Sequence, residues 1–401
     1  MSFVILNAGQ NYQLRGGSER YQFVLSELLQ KKGHRVIPFA ARRPKNQATQ
    51  WSEYFPQGVN FEHPSLADLI RFIYSKPAAN AIKRLLNDVP IDIAHLHIYY
   101  GQLTASILEP LQQAGVPIVQ TLHEYKIVCP VYTLVSNGEI CQACKGHAFW
   151  HATHKRCNRG SVARSLLSTV ESYISKSLGS VRKIDHFITV SHFQREKVIE
   201  LGIPAEKVTT IHNFIDTDSI QPNAEPGEYF LYFGRLERLK GLFTLIEAAS
   251  TLKQIPLLIA GEGEARTELE QLIQQNNFKH IHLLGFKQES DLHQLIGNSI
   301  CTLAPSEWYE TFGLTLIESF ARGRPVIASN IGGMSEIVSD TIDGFLVPPN
   351  NLEVLREKML WMAKNRSEAV EMGQAGRRKV QAQFNPEIHY EKLMDVYRKV
   401  L

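Results

Sequence analysis

The chain has 401 residues, 44% of them apolar and 21% charged, the balance of an ordinary globular protein too long for one core and suited to two α/β domains. A net charge of +3, with no basic run interleaved with aromatics, is too small to indicate a nucleic-acid binder. No apolar run reaches the ~20 residues that span a bilayer. The opening Met-Ser-Phe-Val-Ile-Leu-Asn lacks the basic and long apolar regions of a signal peptide, so the expected location is cytoplasmic.

Residues 3–6 predict a short strand, followed by a polar turn containing Gly16 and Gly17. A helix is expected from Ser18, as N-cap, to about Lys32, with Gly33 at its C′ position. Strand, Gly-Gly turn and helix form a geometry that admits phosphate. Residues 34–39, 91–97 and 116–122 predict further strands, with a helix over 103–114. His123 then falls at a strand's carboxyl end, where doubly wound sheets bind ligands. His95 and His97 lean toward structural roles.

Four of the five cysteines cluster at Cys129, Cys141, Cys144 and Cys157, within a loop over residues 125–160. Three readings are open: a structural zinc, free thiols, or a disulfide. For zinc, His123, His147, His151 or His154 could replace one thiolate. Cys301 sits in a predicted strand and reads as core. Over residues 159–183, Val162, Leu166, Leu167, Val170, Ile174 and Leu178 recur at helical spacing among Arg164, Lys176, Arg182 and Lys183. Such a basic amphipathic helix either packs on its own domain or rests on an anionic membrane.

Residues 186–191 and 208–212 predict the last strands of a first domain, residues 1–212. Residues 213–227 are polar and rich in breakers, and form the expected linker. Within it, Asp216-Thr217-Asp218 reads as a turn rather than a metal motif. The strand–helix alternation restarts over residues 228–384, with strands at 229–233, 256–260, 280–284, 300–304, 325–328 and 344–347. Helices are expected at 241–253, 265–275, 290–296, 314–322 and 335–338, and residues 385–401 form a terminal helix packing back on the first domain. Two doubly wound domains of this kind imply a ligand cleft between them.

The chemistry concentrates in the second half. Gly234 and Arg235 follow directly from a strand, and Lys240-Gly241 opens the next helix, so two cations stand near a sheet's carboxyl edge and suit a diphosphate. Gly263 closes another tight edge turn. Residues 305–318 run from strand through polar turn to helix, with Gly313 at the helix entry. Glu310 and Glu318 would stand about 12 Å apart if both were helical. That exceeds the roughly 5–9.5 Å of carboxylates sharing one glycosidic bond, so they are expected to touch different parts of one ligand.

In this order, Gly16-Gly17 with Glu19, His123-Glu124, Gly234-Arg235, Lys240-Gly241, Glu310, Glu318 and the 344–349 turn make the chain similar to the family 4 retaining glycosyltransferases of GT-B fold. The cysteine loop resembles that of members building bacterial surface polysaccharides. The resemblance implies sugar transfer from a nucleotide sugar, a UDP-sugar foremost, to a hydroxyl of a glycan or lipid-linked acceptor. It implies that Arg235 and Lys240 hold the diphosphate, Glu318 the ribose and Glu310 the sugar hydroxyls. Backbone around Phe312, Gly313 and Leu314 would assist, Gly16 and Gly17 would approach the donor, and His123 would face its sugar. No catalytic metal is implied. A nucleotide-sugar 2-epimerase and a non-catalytic scaffold of the same fold are the alternatives.

Overall fold

The computed structural model describes residues 2–14 and 16–401. The chain divides into two compact units, Met1–Ile211 with Tyr390–Leu401, and His212–His389. Residues 213–227 carry no helix or strand and belong to the second unit.

The first unit is built on β1 (Val4–Ala8), β2 (Arg35–Phe39), β3 (Ile93–Leu96), β4 (Ile118–Leu122), β7 (His186–Thr189) and β8 (Val208–Thr210). All pairings are parallel, in the order β2-β1-β3-β4-β7-β8. A two-stranded hairpin of β5 (Val135–Ser136) and β6 (Glu139–Ile140) lies inside the cysteine loop. The strands read as near-continuous apolar runs, as a sheet covered on both faces requires. The first helix is Gly17–Lys31, and its N-cap is Gly16 rather than Ser18, whose hydroxyl instead donates to Glu19 Oε2 (3.0 Å). Gly33 has φ 85° just past the helix end, where the left-handed conformation favours glycine.

The second unit has β9 (Tyr229–Phe233), β10 (Leu257–Ala260), β11 (Ile281–Gly285), β12 (Ser299–Ala304), β13 (Val326–Ser329) and β14 (Gly344–Val347), each within about a residue of its predicted span. Their order, β11-β10-β9-β12-β13-β14, is that of a dinucleotide-binding sheet, and it reverses direction between β9 and β12. Phe230, Ile259, Leu303 and Ile327 from the strands pack with Leu242, Ile246 and Met359 from the helices. Each such side chain contributes about 1.5–3 kcal/mol of burial. Two helices beyond those expected, Leu352–Lys364 and Arg366–Gln383, close this core.

Candidate functional site

In a doubly wound sheet the loops leaving the two strands at the reversal diverge and open a crevice. Here those loops follow β9 and β12, and they supply Lys240 and Glu310. Lys240 ends a short turn of 3₁₀ helix, Arg238–Lys240, and Gly241 then caps the helix Leu242–Ala249 at φ 70°. A Cβ on Gly241 would stand 1.9 Å from the carbonyl oxygen of Pro305. Glycine therefore allows the two loops to touch.

Glu310 lies in the turn, not in the helix, which runs Leu314–Ala321 with Gly313 as N-cap. The premise of two helical glutamates thus fails: only Glu318 is helical. Glu310 Oε1 accepts from Ser306 Oγ (2.7 Å), from Trp308 Nε1 (2.8 Å) and from the Lys240 ammonium. Burial pushes the Glu310 carboxyl up, but the Lys240 charge and these three donors outweigh it and leave the group below its usual range. Lys240 also lies over the Trp308 ring, 5.5 Å from its centroid.

The second cation is placed differently. Arg235 is half exposed and pairs with Glu237 at 2.7 Å, in its own turn. Gly234 and Gly263 belong to two edge loops packed on each other, with Gly234 N donating to Ala260 O (3.0 Å) and Leu236 N to Glu262 O (2.9 Å). Phe312 is buried against Phe384, ring centroids 5.9 Å apart, and Glu318 is buried in its helix. Behind Glu310, Gly332 has φ 65°, and a Cβ there would stand 2.5 Å from the Glu310 carbonyl oxygen.

In the first unit, His123 follows β4 directly and joins a chain of polar side chains. Asn7, near the end of β1, uses its amide nitrogen to donate to Gln22 O (3.2 Å) and Ser26 Oγ (2.7 Å). Its Oδ1 therefore accepts from His97 Nε2 (2.7 Å), which leaves His97 Nδ1 as the acceptor for His123 Nε2–H (3.1 Å). His123 is thereby fixed as the neutral tautomer whose Nδ1 carries the lone pair. Burial lowers His123 to about 3 and His97 well below the ordinary histidine value, so both are neutral near pH 7. Tyr21 from the Gly17–Lys31 helix meets both rings edge-on, with centroids 5.0 and 5.7 Å away. Gly16 and Gly17 open that helix, and Glu19 in its first turn accepts from Asn11 Nδ2 (3.0 Å).

Sequence reasoning left Ser306, Trp308, Glu237, Asn7 and Tyr21 without a role. Asn7 had a readable signal, since a lone amide near the end of an apolar strand needs a partner.

All five cysteines are free thiols, which removes the disulfide reading. Cys129, Cys141, Cys144 and Cys157 line one small cavity with Val128, Leu134 and Leu201. Backbone N–H groups of Leu134 and Val131 point to the Cys129 sulfur. Among the described residues no three cysteine sulfurs lie within 4.8 Å of one another, so the set is convergent but not closed. Of the histidines offered as substitutes, His123 is bonded to His97, His151 is stacked on Trp150 and His154 meets that ring edge-on. His147 packs against Phe149 with its Nε2 buried and without a hydrogen-bond partner among the described residues. In the 213–227 segment Asp218 N donates to Asp216 Oδ1 (3.0 Å), a turn closed by the aspartate itself.

Comparison with known proteins agrees with this fold. Residues 15–219 match the model of Glycosyltransferase Family 4, and residues 214–379 that of Glycosyl transferases group 1. The first match spans just over half of the chain, and the chain belongs to Glycosyltransferase Family 4. The amylovoran biosynthesis glycosyltransferase AmsK of Erwinia amylovora is 26% identical over 227 residues, 53% of this chain and 56% of that one. The match thus spans little more than half of that relative's length. In fold, the chain is similar to a sucrose-phosphate synthase from Thermosynechococcus elongatus, with TM-score 0.74 and 20% identity over 100% of this chain and 99% of the other. It is also similar to Anabaena HepE in complex with UDP-glucose, with TM-score 0.72 and 17% identity over 99% and 100%. These structures share the GT-B fold of two Rossmann-like domains.

Proposed function

We propose that this chain is a retaining glycosyltransferase that moves a hexose-type sugar from a nucleotide sugar, a UDP-sugar foremost, to a hydroxyl of a glycan or lipid-linked acceptor. The proposed setting is cytoplasmic synthesis of a cell-surface polysaccharide or glycolipid. The observation that carries it is the Lys240–Glu310 pair at the strand-order reversal of the second sheet, beside a helix N-terminus. A cation and a carboxylate held together there offer one group to a phosphate and the other to sugar hydroxyls.

In this reading the acceptor oxygen bonds to the anomeric carbon while the bond from that carbon to the diphosphate breaks. The diphosphate leaves with the electron pair, and the acceptor's proton passes to it. Lys240 turns from Glu310 to the diphosphate, and Arg235 leaves Glu237, since an exposed pair of that kind is worth at most about 1 kcal/mol. Glu310, released, accepts from sugar hydroxyls, and Glu318 from the ribose. Backbone N–H groups at Phe312, Gly313 and Leu314 add to the phosphate's positive surroundings. The developing charge is met by these groups, so no catalytic metal is included. Gly16, Gly17 and His123 keep the roles carried over from the family: close backbone approach of the glycines to the donor, and a histidine facing its sugar. A structural zinc held by Cys129, Cys141, Cys144 and Cys157 is part of the same proposal. Anabaena HepE, a neighbour in fold bound to UDP-glucose, and AmsK, named for amylovoran biosynthesis, support the donor and the setting.

The test is thermal stabilisation by UDP, GDP, ADP and TDP. At a hundredfold excess over its dissociation constant, the cognate nucleotide adds about 2.7 kcal/mol. UDP is expected to stand out and to lose its shift in Arg235→Ala. No shift with any nucleotide overturns the reading.

A further inference from the structure

The helix Val162–Leu178 turns an unusually polar face inward for a surface helix. Capped by Ser161 and ended by Gly179 at φ 108°, it buries Ser165, Ser168, Thr169, Glu171, Ser172 and Ser175. That inner face is held by polar contacts. Asn158 donates to Ser165 Oγ and Ser168 Oγ (2.9 Å each), Thr153 Oγ1 donates to Thr169 Oγ1 (2.8 Å), and Glu171 pairs with buried Lys126 at 2.6 Å. With its polar side spent inward, the helix presents Val162, Leu166 and Tyr173 to the outside.

The neighbouring helix Leu66–Ile73 repeats the pattern. It packs beside Val162–Leu178, and its one buried side chain is Asp68, which closes a capping box with Ser65 and pairs with Arg71 at 2.9 Å. Leu66 is 80% and Ile70 67% exposed, and Leu69 is exposed as well. Two adjacent helices that each turn polar residues inward while leaving apolar ones exposed, Leu66, Leu69 and Ile70 on one and Val162, Leu166 and Tyr173 on the other, present more apolar surface than scattered leucines explain.

The charges around the patch say what covers it. Lys155, Arg156, Arg159, Arg164 and Lys176 are exposed within the stretch 150–179, while its one acid, Glu171, is buried on Lys126. On the side of the shorter helix the exposed charges are Glu62 and Lys76. Trp150 and Tyr173 are exposed amphipathic rings of the kind that favours a membrane–water boundary. An apolar face with a one-sided rim of cations complements anionic lipid headgroups over hydrocarbon.

We propose that Leu66, Leu69, Ile70, Val162, Leu166 and Tyr173 form a docking face for an anionic bilayer surface, with Arg164 and Lys176 on its rim. The face extends the lipid-linked reading of the acceptor, but none of its residues belongs to the donor site. The purified full chain is to be sedimented with vesicles of phosphatidylcholine alone and of phosphatidylcholine mixed with phosphatidylglycerol. Binding is expected with the anionic vesicles and is expected to weaken with salt. Leu66→Gln/Ile70→Gln/Leu166→Gln is expected to lower it at least about tenfold. Arg164→Gln/Lys176→Gln, a change confined to the surface, is expected to lower it and flatten the salt dependence. Nucleotide stabilisation, measured separately, is expected to be unchanged in both variants, so failure here is distinct from failure of the donor reading. Equal sedimentation with both vesicle types, or wild-type binding by both variants, overturns the proposal. So does a dimer of the wild type that the triple variant abolishes, because the face would then cover a second copy.

Discussion

Lys240 and Glu310 neutralise each other across two loops separated by 70 positions in the chain. Their side chains are mostly buried, at 18% and 13% exposure, so removing either partner strands the other in a poor dielectric. Lys240→Ala is expected to lower kcat/KM at least about a hundredfold through lost charge at the diphosphate. Glu318→Ala is expected to abolish measurable transfer with the fold intact, as circular dichroism would check. Near-normal turnover in both variants would sink the site assignment. As candidates, both carboxylates and both cations were legible in the sequence, because Gly-Arg and Lys-Gly flank strand ends and the glutamates bracket a helix start. Their partners were not. Pairing of Lys240 with Glu310, and of Arg235 with Glu237, depends on where loops come to rest, which spacing does not encode. The histidine chain makes a pH prediction at the same scale. His97 and His123 are depressed in the fold relative to an ordinary value of 6.5, so the unfolded chain binds more protons between that value and the folded one. Their contribution is complete above about pH 6.5 and is lost as pH falls toward the folded values, with a slope of up to about 1.4 kcal/mol per pH unit for each histidine. The wild-type melting temperature should decline on acidification through this window, and His97→Phe should decline less steeply.

Elements were easier to find than to orient. The strands of both sheets announce themselves as short apolar runs between breakers, and alternation with helices fixes a parallel sheet. The helix over Val162–Leu178 was equally plain from its apolar spacing, yet spacing alone favours packing that stripe inward. The structure leaves Val162 and Leu166 exposed and Leu167, Val170, Ile174 and Leu178 only half-buried, because Glu171, the serines and Thr169 take the inner face with partners in Lys126, Asn158 and Thr153. The cysteine loop poses a related question of what stabilises an element. Beyond the hairpin β5–β6, its buried apolar residues include Ile127, Val128, Val131, Leu134, Cys144, Phe149 and Ala152. Six of its non-glycine residues, Tyr132, Leu134, Asn137, His147, Arg156 and Arg159, sit at positive φ. A loop this tightly turned, with four cysteines lining one small cavity, is the kind that a metal stabilises. If zinc is the staple, metal analysis of the purified chain should give about one equivalent. Cys141→Ser/Cys144→Ser should lose it and become sensitive to protease within residues 125–160. A metal-free chain with a protease-resistant loop would rule the zinc out.

At the scale of the whole chain, the path matters more than the boundaries. The chain completes one sheet, builds a second unit from His212 to His389, and then gives its last residues back to the first unit. Composition located the polar stretch after residue 212, but not its allegiance. Ile215 N donates to Phe384 O (2.9 Å) and Phe214 stacks near His389, which ties this stretch to the second unit. The first and last residues of the second unit meet, since His389 Nδ1 donates to the carbonyl oxygen of His212 (2.8 Å). The returning segment is a structural member of the first unit. Leu393, Met394, Val396 and Tyr397 are buried, and the Tyr397 hydroxyl bonds to His95 Nδ1 (2.7 Å), whose Nε2 meets Thr121 Oγ1 (2.7 Å). His95 sits in β3 and Thr121 in β4, so the chain's end is wired into the middle of its first sheet. Tyr397→Phe keeps the packing and leaves a buried nitrogen without its partner, which costs about 1–3 kcal/mol. Deleting residues 390–401 removes the packing as well and should cost far more. If the second unit carries the nucleotide, the two changes separate stability from binding. Tyr397→Phe should lower the denaturant midpoint of unfolding while the nucleotide dissociation constant stays at its wild-type value. A Tyr397→Phe variant with unchanged stability would mean that the His95 bond contributes nothing to holding the first sheet.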